Sequence, residues 1–277
     1  MAPTTPAPTP DLRVAIGGFG AIGHALAARL DAGIPGLRLV AVSARNIAKA
    51  EAGMAGFKTP VPVLALSELA GVADVVVECA PSSVFLEIAE PALSAGRIFV
   101  PLSVGQLLAH DHLKALAEEK GGRIIVPTGA LLGLDAVRAA AEGTIESVTM
   151  VTRKPPRGLA GAPYLVENGI SLEGLNEAKK VFDGSARDGA RGFPANVNVA
   201  AALSLAGIGA DRTRLQIWAD PEVTRNTHRI EVEADSARFT LIIENVPTEE
   251  NPKTGKITAL SAIACLRGLV STQRVGS

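Results

Sequence analysis

A glycine pattern near the start of the chain constrains its fold more than any other feature. Residues 18–23 read Gly-Phe-Gly-Ala-Ile-Gly, directly after the apolar run RVAIG and at the start of the helical pattern AIGHALAARLDAG. Where a turn of this kind joins a strand to a helix, the first glycine permits a tight turn and the second lets a pyrophosphate approach the backbone. The third lets the helix pack closely on the strand. The pattern predicts a dinucleotide-binding turn with contacts from Gly18, Gly20, Ala21, Ile22 and Gly23.

Apolar runs and helical patterns alternate along the first half of the chain. The runs begin at residues 13, 37, 61, 74, 98 and 123, and several are apolar at nearly every position. Such runs are typical of parallel strands that are buried on both faces. The regular alternation of strand and helix predicts an α/β fold with a Rossmann-type doubly wound parallel sheet.

The pattern changes in the second half of the chain. The strand-like run SVTMVTRK ends at Pro155, and the glycine-rich residues 157–191 are typical of loops. A helix is predicted from residue 194, strands from residues 214, 228 and 237, and a last helix from residue 255. The run HRIEVEAD alternates apolar and polar residues, so one face of this sheet is expected to contact water. We predict a second α+β domain built on a mixed or antiparallel sheet.

These changes of pattern also give domain boundaries. Residues 1–10 contain four prolines and are expected to form a disordered extension. The dinucleotide-binding domain is expected in residues 11–142, and the substrate-binding and catalytic domain in residues 143–247. Residues 248–277 are expected to form a C-terminal helix, for which packing back on the first domain is one option.

Charge and cysteine content exclude several classes of protein. The formal net charge is -1, which argues against a nucleic-acid-binding protein because phosphate binding needs clustered positive charge. No apolar run is long enough to predict a membrane span, and the first residues lack the basic and apolar regions of a signal peptide. The two cysteines and the lack of metal-ligand spacing predict a cytoplasmic protein with no metal site.

The end of the second strand bears on which dinucleotide is bound. An acid usually stands there and binds the adenosine ribose, but this sequence reads Ser43-Ala44-Arg45. The 2′-phosphate of NADP then meets no carboxylate, and an arginine can pair with it. An exposed Arg45 without a ligand is the other interpretation. The expected cofactor is NAD or NADP, near Ser43 and Arg45, with Ala80 as a further contact in a loop of small residues.

Several blocks of the sequence together resemble the L-aspartate dehydrogenase family. The resemblance covers nearly the whole chain after the proline-rich start, and its C-terminal blocks are more specific than the glycine pattern. The blocks are RVAIGGFGAIG, PTGALLGLDAV, TRKPP, FPANVNVAAALSLAG, ADPEVTRNTHRIEVE and ENVPTEENPKTGKITALSAIACLRGL.

The resemblance implies an activity and site residues. L-aspartate would pass a hydride to NAD or NADP, and the iminoaspartate formed would hydrolyse to oxaloacetate and ammonia or supply NAD biosynthesis. The family's catalytic histidine matches His228, and two of its cofactor contacts match Ala130 and Asn198. The acid that often follows this histidine is replaced by Arg229. Sheets in second domains of this architecture often pair, so a homodimer is expected.

The residues alone also make His228 a candidate. It begins a strand in the second domain, where a side chain can face a cofactor bound to the first, and imidazole suits proton transfer near neutral pH. A substrate with two carboxylates needs cations. The candidates are Arg153, Lys154, Arg225 and Lys253, each with a solvated surface charge as the simpler interpretation.

Other functions stay open at this point. One alternative is a related two-domain reductase or dehydrogenase of the homoserine dehydrogenase or dihydrodipicolinate reductase type. The sequence has no His-His pair, which counts against the latter. The other alternative is a non-catalytic protein that senses a dinucleotide.

Overall fold

The first apolar runs form a parallel five-stranded sheet in the computed structural model, which describes residues 10–194, 197–248 and 255–276. The strand order is β2-β1-β3-β4-β5. The central residues of β1 and β3, Val14–Ile16 and Val75–Val77, are fully buried, as expected for strands covered on both faces. The Rossmann-type doubly wound sheet is confirmed. Its strands are β1 (Leu12–Gly17), β2 (Leu37–Ser43), β3 (Val75–Glu78), β4 (Ile98–Pro101) and β5 (Arg123–Ile124).

Helices connect these strands. The helix that follows the glycine pattern, α1, runs from Ala21 to Ala32 and ends at Gly33. The α-helices of this half are α1, α2 (Ile47–Gly53), α3 (Leu69–Val72), α4 (Phe85–Ser94), α5 (His112–Lys120) and α6 (Leu134–Ala141). Short 3₁₀ helices occupy Leu66–Glu68, Ser82–Val84 and Val104–Leu108.

The strand predicted from residue 61 is wrong. The segment makes only an isolated bridge, Val42 with Val63. Pro60 and Pro62 have no backbone N–H to donate to a sheet, so the apolar run cannot continue as a strand.

The second sheet is mixed, as predicted. Its order is β10-β9-β6-β8-β7, in which β6 and β8 are parallel and the other neighbours are antiparallel. β9 and β10 are joined by a short turn and pair as an antiparallel hairpin. The strands are β6 (Ile145–Lys154), β7 (Lys179–Ser185), β8 (Arg214–Ala219), β9 (Asn226–Ala234) and β10 (Arg238–Asn245).

Strand β7 lies in the region predicted to be loop. A register shift between Lys180 and Phe182 breaks its alternation, so two neighbouring residues, Val181 and Phe182, are both buried. A bulge of this kind hides the period of two that marks a strand in sequence. The helices of this half are α7 (Pro163–Glu167), α8 (Ala186–Gly192), α9 (Asn198–Ala206) and α10 (Lys256–Val270), with a 3₁₀ helix at Pro156–Gly158.

One face of the second sheet packs into an apolar core. Along β6, burial alternates so that Val148, Met150, Thr152 and Lys154 are buried together. This core also includes residues of α8 and α9 and the apolar side chains of β8 and β9. We call this side of the sheet the inner face, and it carries the residues described below.

The chain divides into two compact units. One comprises residues up to Val100 with Leu116–Ile125 and Ile263–Thr272; the other comprises Pro101–Ala115, Val126–Ala262 and residues from Gln273 onward. The loops after β4 and β5 therefore belong to the second unit. The predicted boundaries at residues 142 and 247 stay predictions, and residues 1–9 of the predicted extension lie outside the described residues. Among the described residues, no helix has the length and apolar character to cross a membrane.

Candidate active site

The glycine turn has the form that a pyrophosphate needs. Gly18 has φ +105°, and a Cβ there would lie 2.6 Å from the carbonyl oxygen of Cys79. A Cβ at Gly23 would clash with the carbonyl oxygen of Gly18. At Gly20, in contrast, an added Cβ would meet no atom within 4 Å. The turn is therefore closed where the chain packs on itself and open at Gly20, beside the N-terminus of α1.

The first residues of α1 complete this turn. Gly20 is the residue that precedes the helix and offers no side-chain cap. Ala21 is exposed, Ile22 is half-buried and Gly23 is buried against the turn. The free N–H groups of this first helical turn suit an anion. The five glycine-pattern residues thus fit a dinucleotide, and their contacts with it stay predictions.

We expect alanine at Gly23 and at Gly20 to act differently. Gly23→Ala forces α1 away from the turn, so it should lower the melting temperature by several degrees and weaken binding of NAD and NADP. Gly20→Ala places a methyl group in open space, so it should weaken cofactor binding with little change in melting temperature. Calorimetry and cofactor titration of both variants check this. Equal cofactor affinity in wild type and Gly20→Ala would contradict the placement of the pyrophosphate.

The end of β2 lies beside the glycine turn. The N–H of Gly18 donates to the carbonyl oxygen of Ser43 over 3.0 Å. The side chain of Ser43 is buried, whereas that of Arg45 is exposed. Asn46 accepts a hydrogen bond from the N–H of Lys49 and caps α2. Arg45 is therefore an exposed cation two residues beyond Ser43, and its contact with a 2′-phosphate stays a prediction.

Arg45→Ala should weaken NADP binding about tenfold and leave NAD binding nearly unchanged, because one charge-assisted contact to the phosphate is lost. Arg38→Ala is the matched control, since Arg38 is an exposed arginine of β2, the strand that precedes Arg45. Fluorescence titration of each variant with both cofactors gives the dissociation constants of NAD and NADP, whose ratio is compared with that of wild type. An equal loss for NAD and NADP would show that Arg45 does not read the phosphate.

A buried carboxylate supports the loop after β3, and the sequence analysis missed it. Glu78 is fully buried at the end of β3, and its Oε1 accepts a hydrogen bond from the N–H of Ala80 over 3.0 Å. Ala80 is half-buried. Glu78 thus fixes the backbone at a predicted cofactor contact. No sequence pattern singles it out, because the run DVVVECA predicts only a buried strand.

Within the second unit, two asparagine side chains bond to the loops that follow β4 and β5. The Oδ1 of Asn198, at the start of α9, accepts a hydrogen bond from the N–H of Gly105 over 3.0 Å. The Nδ2 of Asn245, at the end of β10, donates to the carbonyl oxygen of Ala130 over 3.1 Å. Ala130 thus lies in the loop after β5, where Asn245 bonds to it, and Asn198 contacts the loop after β4. Asn245 is a further residue that the sequence did not predict.

His228 lies on the inner face of the second sheet. Its side chain is only 3% exposed, and its Nδ1 is 3.0 Å from the Oγ1 of Thr152 on the neighbouring strand. Burial, and then the charge of Lys154, lowers the pKa of His228 to about 3. The imidazole is therefore neutral at pH 7, and Nε2 is the nitrogen that Thr152 does not hold.

Polar residues occupy one end of this inner face. His228 is in register with Thr152 on one side and with Ile243 on the other. Moving along the strands in one direction, the next inner residues are apolar, such as Met150 and Ile230. In the other direction they are Lys154 on β6 and Asn245 on β10, both buried. The inner face thus carries a cluster of buried polar side chains next to an apolar core.

Among the described residues, two other candidate cations, Arg153 and Arg225, are placed differently. The guanidinium of Arg153 pairs with Asp220 over 2.9 Å and lies 5.0 Å from the ring centre of Trp218. Arg225 is exposed, and Lys253 lies outside the described residues. Arg229, which stands where the family often has an acid, is exposed and pairs with Glu231. Its charge is thus directed away from His228.

A separate cavity of about 460 Å³ follows β6. It is lined by residues between Pro156 and Glu173, which are mostly apolar or small. None of the residues predicted for the site lines it. The cavity is therefore separate from the residues predicted for the site.

Comparison with known proteins finds matches for both halves of the chain. Residues 135–269 match the family described as "Aspartate dehydrogenase, C-terminal". Residues 18–127 match the family described as "Homoserine dehydrogenase, NAD binding domain". The L-aspartate dehydrogenase of Bradyrhizobium diazoefficiens is 60% identical, over 96% of this chain and 95% of the relative. L-aspartate dehydrogenase 3 of Bordetella bronchiseptica is 55% identical, over 96% and 98%.

A solved structure shares the fold. The crystal structure of aspartate dehydrogenase from Thermotoga maritima superposes with a TM-score of 0.72 and covers 96% of this chain and 99% of that one. Because the two sequences are only 22% identical, this likeness supports the fold of the chain and nothing beyond the fold.

Proposed function

The chain belongs to the L-aspartate dehydrogenase family, and from this premise we propose that it oxidises L-aspartate to iminoaspartate with His228 as the acid and base. The activity of the family, NAD(P)-dependent oxidation of L-aspartate, is that of this chain. The role of His228, the order of proton transfers and the fate of the product are the parts that we propose.

The observation that carries the proposal is the setting of His228. In the tautomer that the proposal requires, the Nδ1–H of His228 donates to the Oγ1 of Thr152 over 3.0 Å, which fixes the ring and leaves the lone pair of Nε2 free to accept a proton. Both residues are nearly fully buried, so water competes little for the proton.

The protonation state of the substrate amine determines which proton must move first. At neutral pH the amine of aspartate is an ammonium, and its nitrogen lone pair is free only after one proton has left. His228 accepts that proton. The lone pair then forms the C=N bond as the α-C–H bond breaks and its electron pair leaves as a hydride, which gives the iminium form of iminoaspartate.

The cofactor supplies one function when it is bound, the acceptance of this hydride by its nicotinamide. The residues that would hold it are the glycine turn, Ser43 and Arg45, Ala80, and the loop residues Ala130 and Asn198. The open space at Gly20 and the strand-end hydrogen bonds at Ala80 and Ala130 support this assignment.

Hydrolysis completes the reaction. Water adds to the iminium carbon, one proton moves from its oxygen to the nitrogen, and the C–N bond breaks as the C=O bond forms. The remaining proton of that oxygen passes to the departing ammonia, which gives oxaloacetate and ammonium. We also propose that part of the iminoaspartate supplies NAD biosynthesis before it hydrolyses. Support for this comes from the chemistry of the product, which is the precursor used for quinolinate. Formation of quinolinate from aspartate, in a reconstituted system that contains this chain, tests it.

The homodimer is a proposal as well. The support is that β10 lies at the edge of its sheet and exposes Ile242, whose side chain is 55% exposed. Unpaired edges and exposed apolar side chains favour association. Light scattering on the purified chain tests it.

The experiment that tests the proposed reaction compares amino acids. The purified chain is assayed for reduction of NAD and of NADP with aspartate and with homoserine at equal concentration. Faster turnover of aspartate supports the proposal. Faster turnover of homoserine would instead favour the homoserine dehydrogenase type of reaction, and no turnover of any amino acid would favour a protein that only senses the dinucleotide.

A further inference from the structure

We propose that the ammonium group of Lys154 is the cation that binds a carboxylate of the dicarboxylate substrate, on the inner face beside His228. This inference rests on the proposed function, in which His228 takes the proton of the substrate amine. It adds the group that places the substrate there and selects for a second carboxylate.

The first argument is the face on which Lys154 lies. Its side chain is 7% exposed and follows Val148, Met150 and Thr152 in the buried alternation of β6. Two residues along a strand span roughly 7 Å, so Lys154 begins one inner position beyond the Thr152 that holds His228. A lysine side chain is long enough to bring its ammonium beside the imidazole.

The second argument separates Lys154 from the neighbouring arginine. Successive residues of a strand point to opposite faces, so Arg153, whose guanidinium lies beside Asp220 and over Trp218, does not share the face of Lys154. Arg225 is exposed. Among the described members of the four candidate cations, Lys154 is the one that shares a face with His228.

The third argument is electrostatic. Burial, and then the charge of Lys154, lowers the pKa of His228, which agrees with the neighbouring positions of the two residues on the inner face. A carboxylate bound to Lys154 would offset that charge and make His228 a better base. Substrate binding would thus prepare the imidazole for proton transfer, and an amino acid without the second carboxylate would gain less from the site.

Burial explains why such a contact would be selective. An ammonium that is shielded from water attracts an anion more strongly than an exposed one does, because the local dielectric constant is low. A ligand that brings no carboxylate loses that attraction. A dicarboxylate without an amine, such as succinate, should therefore bind to the site and compete with aspartate, whereas butyrate should bind much more weakly.

The test compares Lys154→Met with Lys180→Met in the presence of NADP. Lys180 is a partly exposed lysine of β7 that pairs with Asp183, so its loss is the matched control. In Lys154→Met, the KM for aspartate and the dissociation constant of succinate should each rise roughly 10- to 100-fold, the usual value of a charged hydrogen bond. NADP affinity should stay at the wild-type value, and Lys180→Met should match wild type throughout.

Failure of the proposal for Lys154 can be distinguished from failure of the proposed function. If succinate affinity and the KM for aspartate stay within about threefold in Lys154→Met, the proposal is wrong. If wild type does not oxidise aspartate, the proposed function fails, but calorimetric binding of succinate to wild type and to Lys154→Met still decides the role of Lys154. Lys154→Gln, which keeps a polar group of similar length, replaces the methionine variant if thermal melting shows that the latter does not fold.

Discussion

L-aspartate is expected to exceed L-alanine in kcat/KM by about 10⁴-fold when both are assayed with the same cofactor. A site built to bind a polar group rejects a substrate that lacks it, because the buried partner is left without its ligand. Here the partner is the buried ammonium of Lys154 beside His228. Alanine has the α-carbon, amine and one carboxylate of aspartate and differs by the second carboxylate, so this pair isolates that contact. Initial rates over a range of concentrations give the ratio.

Glutamate is the control for geometry. Its side chain keeps the second carboxylate but adds one methylene group, which moves that carboxylate away from a cation fixed on a strand. Glutamate should therefore fall between aspartate and alanine. Alanine turnover within tenfold of aspartate turnover would contradict the presence of a dicarboxylate site.

Replacement of His228 by asparagine should lower kcat for aspartate about 10²- to 10⁴-fold, the usual contribution of a general acid or base. Asparagine fits within the volume of the histidine and can still bond to Thr152, so the loss would measure proton transfer rather than packing. The dissociation constants of NAD and NADP should stay near the wild-type values, because the glycine turn is unchanged.

His112→Asn is the matched control, since His112 is an exposed histidine at the start of α5. It should leave kcat unchanged. If His228→Asn keeps kcat within a few-fold of wild type, His228 has a structural role and another group must take the proton. Thermal melting of both variants shows whether the fold is intact.

The fold could be predicted well where local patterns match tertiary structure. The apolar runs of β1 and β3 indicate strands that are buried on both faces, and the glycine turn fixes the connection to α1. The prediction is wrong at residue 61, where two prolines prevent sheet pairing. It also misses β7, because the bulge between Lys180 and Phe182 hides the strand period.

The candidate site could be predicted only in part. The glycines and His228 stand in recognisable blocks, whereas the sequence offered Arg153 and Lys154 as equal candidates. The alternation of Val148, Met150 and Thr152 was the available signal, because a period of two places Lys154 on the same face. Glu78 and Asn245 left no such signal. Asn245 bonds to Ala130, which is distant in sequence and meets it only in the folded chain. Glu78 bonds to the backbone N–H of Ala80 only two residues on, but an acid within an apolar run does not indicate that contact.

The central claim is that this chain removes the amino group of L-aspartate by oxidation, and its most direct test is the stoichiometry of the products. The purified chain is incubated with L-aspartate and NAD or NADP. Reduced cofactor, ammonium and oxaloacetate are then measured in the same sample. The account predicts equal amounts of all three, each dependent on aspartate. Cofactor reduction without release of ammonium, or no reduction with aspartate under conditions that support it with homoserine, would contradict the account.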